Sequence, residues 1–309
     1  MSAPRVETVS GTIEGEIVAL PDRSPIYRFL GIPYGASPEG ARRWQRPASA
    51  PAWAGVRRAV AFGPAAPQRP GLPTALPAFR PDTMSEDCLT LNVWSPGLDG
   101  RRPVMVWIHG GAFTAGSSSQ PVYDGARLAA EADVVVVTIN YRLGALGFLC
   151  PDDAEPGTET VGNAGLHDQL AALRWVAQHA TALGGDPSRF TAFGESAGAG
   201  SILHLLASTV GPAVTRAAAQ SGEPRTLTRE EAARVSSRLA AALHLDRAGA
   251  DSLRPVPTAA LLAAQEQVTI ELFADTVFPS ITDRPYQLSL GAYGFYWFRL
   301  QPPGGGSAS

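Results

Sequence analysis

The chain has 309 residues, 25 basic and 28 acidic side chains, a formal net charge of −3 and 45% hydrophobic residues. This is the composition of an ordinary folded domain, with no basic excess to suggest a nucleic-acid or membrane-surface partner. Every one of the 25 basic residues is arginine, which excludes a Walker-type phosphate loop, a Schiff-base lysine, a Ser-Lys dyad and a kinase. No Gly-x-Gly-x-x-Gly, His-Glu-x-x-His or Cys-x-x-Cys occurs, so no dinucleotide, metal or other cofactor is expected. A dinucleotide-binding α/β protein therefore lacks its fingerprint.

In chain order, residues 5 to 35 read as short strand pieces separated by turns. Residues 64 to 83 are proline-rich and aperiodic, as in a surface loop. Leu89–Trp94, Val104–Ile108 and Val134–Ile139 are strand candidates. The last two are continuous apolar runs, suited to strands buried on both faces. Leu166 to Leu183 carries apolar residues at 166, 170, 173 and 176, a helical spacing. Phe190–Phe193 is a further apolar run, and Ala197–Ala207 reads as the helix that follows it. Thr228 with Glu231 forms a capping box opening a helix to about His244. There are no internal repeats. The expectation is one domain over residues 1–300 and a disordered Pro/Gly/Ser tail over 301–309.

Two motifs carry chemistry. Gly194-Glu195-Ser196-Ala197-Gly198 follows the strand run at 190–193. A nucleophilic serine needs such a sharp strand-to-helix turn, with glycines on either side where side chains would clash. Upstream, Val104–Ile108 runs into His109-Gly110-Gly111. A glycine pair lets backbone N–H groups approach a developing oxyanion, with one more N–H from the residue after the nucleophile, here Ala197. The helix beginning at Ala197 adds its positive end to the same field.

The chain resembles the type B carboxylesterases, which have the α/β-hydrolase fold. The resemblance rests on Phe29-Leu30-Gly31-Ile32-Pro33-Tyr34, Ser85-Glu86-Asp87-Cys88-Leu89-Thr90-Leu91-Asn92-Val93-Trp94, Asn140-Tyr141-Arg142-Leu143-Gly144, Gly162-Asn163-Ala164-Gly165 and Gln220-Ser221-Gly222, and it covers roughly residues 5 to 225. It implies an α/β fold with a mostly parallel central sheet and hydrolysis of small-molecule carboxylic esters. In that scheme Ser196 is the nucleophile, and Gly110, Gly111 and Ala197 supply the oxyanion hole. Arg43 with Glu86, and Arg142 with Asp168, would be structural ion pairs. Many members pair the Cys88 position with a cysteine where this chain has Ala66. The absent disulfide fits a reducing, cytoplasmic compartment. No signal-type segment or membrane-length apolar run is seen.

The family mechanism also needs an acid and a histidine C-terminal to the serine. Neither is found. Of the five histidines, His109 sits in the glycine loop, and His167 and His179 share one helix expected to pack away from the serine. His204 lies about 12 Å down its own helix, and His244 closes a later one. Val277-Phe278-Pro279, Asp283-Arg284-Pro285 and Gly294–Arg299 resemble the family's late segments. Two readings of the tail stand: an internal deletion near 286–292 with the histidine lost, or an unrelated end from a frameshift or truncated gene. Either leaves the sheet incomplete, with an exposed edge. Loss of triad members costs on the order of 10⁶ in turnover, so little esterase activity is expected from the isolated chain. The alternative function is that of a non-catalytic member or a degenerate fragment.

Overall fold

The computed structural model describes residues 2–21, 23–69, 81, 83–154, 158–208, 214–224 and 226–273, with side chains through 268. Its centre is a seven-stranded sheet. The strands are β3 (Glu16–Leu20), β4 (Arg23–Pro33), β6 (Thr90–Ser95), β7 (Arg102–Ile108), β8 (Val135–Ile139), β9 (Gly185–Glu195) and β10 (Arg216–Gln220). Their spatial order is β10-β9-β7-β8-β6-β4-β3. Pairing is parallel from β8 through β7 and β9 to β10, and antiparallel from β8 through β6 and β4 to β3. A separate three-stranded sheet joins β1 (Arg5–Thr8), β2 (Gly11–Glu14) and β5 (Val56–Arg58).

The expected strands at 89–94, 104–108 and 134–139 fall within a residue or two of β6, β7 and β8. Every residue of β8 is buried, as a strand covered on both faces requires. At the other extreme, all five residues of β10 are exposed. Among the described residues β10 has β9 as its one neighbour, so the expected open edge lies there.

Helices α1 (Ala126–Ala132), α3 (Ala164–His179) and α4 (Ala197–Ala207) pack on the sheet. The helix read as running to Leu183 stops at His179, and Thr181–Leu183 is a single 3₁₀ turn. Gly184, at φ 79°, closes it, since the chain must reverse there into β9. The capping box is present as read: Thr228 accepts from the Glu231 N–H, and Glu231 accepts from the Thr228 N–H at 2.7 Å, opening α5 (Arg229–Ala242).

A second, helical core forms beside the sheet. Trp44 packs with residues of α2 (Gly144–Phe148), α5, α6 (Ala250–Leu253) and α7 (Thr258–Phe273). Arg43 fastens it. Its Nε donates to Glu86 at 2.7 Å, its Nη1 donates to the carbonyls of Arg254 and Val256, and its Nη2 donates to Glu86 and Thr258. The second ion pair, Arg142 with Asp168, is 4% and 0% exposed and is described below. Both pairs thus stand where the resemblance implied structural bridges. The 301–309 tail and the late segments at 277–299 lie outside the described residues.

Candidate active site

Ser196 stands between the last residue of β9 and the first of α4, with φ 55° and ψ −120°. A non-glycine residue in that region costs on the order of 1–3 kcal/mol and persists only where its surroundings over-determine it. Here they do. The Ser196 N–H donates to the Gln220 carbonyl at 2.9 Å, and the Ser196 carbonyl accepts from the Gly200 N–H at 3.0 Å. The flanking glycines are needed for contact reasons. A Cβ on Gly194 would lie 2.7 Å from the Ile108 carbonyl oxygen, and one on Gly198 only 2.0 Å from it. The first turn of α4 therefore rests directly on the end of β7, which brings the serine beside the loop that leaves β7.

That loop begins His109-Gly110-Gly111. Gly110 borders Ser196: a Cβ added to Gly110 would meet the Ser196 Cβ at 3.1 Å and the Glu195 carbonyl at 2.8 Å. Gly111 has φ +113°, and its carbonyl accepts from the N–H groups of Thr114 and Ala115, both at 3.0 Å. Ala112 and Phe113 follow with φ 52° and 60°. Three successive residues thus hold positive φ, so the loop bends sharply as it leaves β7. The structure sets Gly110 against Ser196, and Ala197 follows the serine as the first residue of α4.

Electrostatics in the loop follow from burial. His109 is 1% exposed, and burial lowers its pKa to about 4, so it is neutral near pH 7. Its ring stacks on Tyr141 at 4.5 Å, and its Nδ1 lies 2.8 Å from the Gly110 carbonyl, which places the ring proton on Nδ1. Tyr141 donates its hydroxyl to the His109 carbonyl at 2.7 Å. Glu195, next to the serine, has its pKa raised by desolvation.

The other four histidines lie on α3, on α4 and just past α5. His179 is buried on α3, where its Nδ1 is 2.7 Å from the Trp175 carbonyl and its Nε2 accepts from the Val9 N–H at 3.1 Å. This fixes the neutral tautomer, in line with a pKa lowered by burial. His167, half-buried on the same helix, also has its pKa lowered, chiefly by desolvation and then by Arg46. His204 is two turns along α4, and His244 is exposed just past α5. Among the described residues, none of the five bonds the Ser196 hydroxyl, and no cluster of metal-ligating side chains occurs.

Sequence reasoning missed three long-range clamps, two on the glycine loop and one on α2. Gln68 bonds both the N–H and the carbonyl of Gly116, and the Gly144 N–H donates to the Phe113 carbonyl at 2.7 Å. Gln265 accepts from the Ala145 N–H at 2.7 Å, securing the start of α2. Each is a contact between a distant segment and backbone, which leaves no local pattern to read.

A mixed sheet with a strained serine between a parallel strand and a helix, facing a glycine loop from the neighbouring strand, is the arrangement of an α/β-hydrolase. The sequence profile of the carboxylesterase family matches residues 2–288, and the chain belongs to that family. It is 42% identical to the para-nitrobenzyl esterase of Bacillus subtilis (strain 168) over 247 residues, covering 79% of this chain and 50% of that protein. It is 44% identical to the acetylcholinesterase of Danio rerio over 249 residues, covering 76% of this chain and 38% of that one. Among solved structures, a thermophilic PNB esterase superposes with a TM-score of 0.80 at 38% identity, over 88% of this chain and 55% of that one. The chain thus spans half or less of the length of these curated relatives. Among the described residues no helix is long and apolar enough to cross a membrane.

Proposed function

We propose that the chain is the nucleophile-bearing part of a carboxylic ester hydrolase. Ser196 Oγ attacks the acyl carbon of a small-molecule ester. The carbonyl oxygen takes up negative charge and is held by the N–H groups of Gly110, Gly111 and Ala197. Collapse expels the alcohol and leaves an acyl group on Ser196. The observation that carries this reading is the Ser196 backbone at φ 55° and ψ −120° on the turn from β9 into α4, set against Gly110.

The relatives' names support an ester as substrate. One more is the phenmedipham hydrolase of Pseudarthrobacter oxydans, 44% identical over 208 residues. The acid and base that would complete a triad are not among the described residues. This part of the molecule therefore accounts for the nucleophile and the oxyanion donors, and not for the proton transfer from Ser196 to the leaving alcohol that acylation also needs. We read residues 1–300 as one α/β-hydrolase domain. Free, buried Cys88, with Ala66 at the position where many members have its partner, supports a reducing, cytoplasmic compartment.

The test is hydrolysis of a short-chain p-nitrophenyl ester by the full chain beside Ser196→Ala, with mass spectrometry of the Ser196 peptide. An acyl adduct on Ser196, absent from the variant, is the expected result. Rates equal to those of Ser196→Ala, with no adduct, would replace this reading with the non-catalytic one.

A further inference from the structure

We propose that Gln68 is a positioning residue for the oxyanion donors: its carboxamide grips Gly116 and so fixes the peptide between Gly110 and Gly111. The inference rests on the reading of Gly111 N–H as an oxyanion donor.

Gln68 is 6% exposed and commits both amide donors and one acceptor site to backbone. Its Oε1 accepts from the Gly116 N–H at 2.8 Å, while Nε2 donates to the Gly116 carbonyl at 2.8 Å and to the Ala66 carbonyl at 3.0 Å. Bonding both groups of one residue is what a paired strand does. The side chain therefore acts as a one-residue piece of ladder, holding a loop segment that pairs with no strand among the described residues.

Gly116 is the point through which this grip reaches the site. At φ +115° it lies directly against the start of the glycine loop. A Cβ on it would sit 2.4 Å from His109 Nδ1 and 2.5 Å from the Gly110 carbonyl oxygen. The Gly110 carbonyl is thus confined between the Gly116 backbone and the His109 ring nitrogen, 2.8 Å away. In a planar trans peptide the carbonyl of one residue and the N–H of the next point in opposite directions. Confining the Gly110 oxygen therefore sets where the Gly111 N–H points. Without that confinement a Gly-Gly peptide rotates freely, because neither residue restricts its own dihedral angles. A preorganised donor helps because it needs no reorientation as charge develops.

The experiment compares the full chain with Gln68→Met, which keeps the length and loses the polar atoms, and Gln68→Glu. Stopped-flow release of p-nitrophenolate from p-nitrophenyl acetate reports first-turnover acylation and its dependence on ester concentration. Amide hydrogen exchange in ¹⁵N-glycine-labelled protein reports Gly111 and Gly116 directly. In Gln68→Met the acylation rate should fall about tenfold to a hundredfold at unchanged half-saturation, less than the roughly 10²–10³ of deleting a donor outright. Gly111 and Gly116 should exchange faster, with the glycines of β9 unchanged.

Gln68→Glu should show the same defect at pH 8 and recover relative to wild type as pH falls. A protonated carboxyl again offers Gly116 one donor and one acceptor. A merely structural glutamine would not move that ratio, and this variant decides the matter if Gln68→Met does not fold. Wild-type acylation and wild-type Gly111 exchange in Gln68→Met would overturn the proposal. So would a loss spread evenly over all glycines with weakened ester binding. If the wild-type chain acylates no faster than Ser196→Ala, the esterase reading fails. The clamp then stands or falls on Gly111 exchange alone.

Discussion

Asp168→Asn removes one charge from an ion pair whose side chains are 4% and 0% exposed. Asp168 accepts three hydrogen bonds from one residue: from the Arg142 backbone N–H at 3.1 Å, from Nε at 2.7 Å and from Nη2 at 2.6 Å. Asparagine fills the same space but offers one acceptor oxygen and sets an NH₂ against a guanidinium N–H. It also leaves a buried cation uncompensated. Breaking a buried pair from one side costs about 3–5 kcal/mol, against a total stability of roughly 5–15 kcal/mol for a domain. With a urea slope near 3 kcal/mol/M for a chain of this size, the unfolding midpoint should drop by more than about 1 M. Equilibrium urea unfolding followed by tryptophan fluorescence and far-ultraviolet circular dichroism measures it. The double variant Arg142→Met/Asp168→Leu should lose less than Asp168→Asn alone, because no charge is stranded. A midpoint shift below about 0.3 M in Asp168→Asn, equivalent to ~1 kcal/mol, would refute the account and mean that water reaches the guanidinium. The pair also bears on the site, since Arg142 directly follows Tyr141, whose hydroxyl holds the His109 carbonyl.

Gly198→Ala would put a Cβ 2.0 Å from the Ile108 carbonyl oxygen and force α4 away from β7. The expected cost is about 1–3 kcal/mol of stability and on the order of a hundredfold in Ser196 acylation, since a 1 Å displacement suffices for that; wild-type values of both would show that α4 does not depend on this contact. Thr228→Ala removes the α5 capping box and should cost about 1 kcal/mol in urea unfolding; no change would mean that packing alone holds the helix. His109 gives an acid dependence. Burial lowers its pKa from 6.5 to about 4, so below pH 6.5 the unfolded chain takes up a proton that the folded chain refuses. Its stabilising contribution is complete above pH 6.5 and declines toward pH 4, by up to about 3 kcal/mol at ~1.4 kcal/mol per unit. The stability–pH slope over that interval should be shallower in His109→Gln, and equal slopes in the two proteins would exclude His109 as its source.

Legibility in the sequence tracks how local each constraint is. Val135–Ile139 declares itself because a strand covered on both faces must be apolar at every position. α5 declares itself because Thr228 and Glu231 bond each other three residues apart. By contrast α7 carries no such local signal. Thr258-Ala-Ala-Leu-Leu-Ala-Ala-Gln follows Pro257 and consists largely of helix formers, yet it has no capping box and no narrow apolar stripe. Its place is set from far upstream by Trp44 and Arg43, whose bonds to Arg254 and Val256 span more than two hundred residues. β10 is similar. Arg-Ala-Ala-Ala-Gln has little strand propensity, and it is a strand because β9 beside it supplies the ladder.

The same division runs through the site. The serine turn and the loop facing it are each contiguous: Gly194 to Gly198 encode the turn, the strain and the clearances within five residues, and His109 to Gly111 encode the facing loop within three. What holds that loop in place is dispersed. Gln68 reaches the loop from one distant segment and Tyr141 and Gly144 from another, each through a hydrogen bond to backbone that leaves no pattern in the neighbouring sequence. A serine turn and a glycine pair can therefore be recognised without knowing the fold. Whether their amides are aimed well enough to stabilise an oxyanion depends on contacts that only the folded chain brings together. It follows that variants in Gln68 or Tyr141 should separate the presence of the motif from its performance, leaving the local turn intact while slowing acylation.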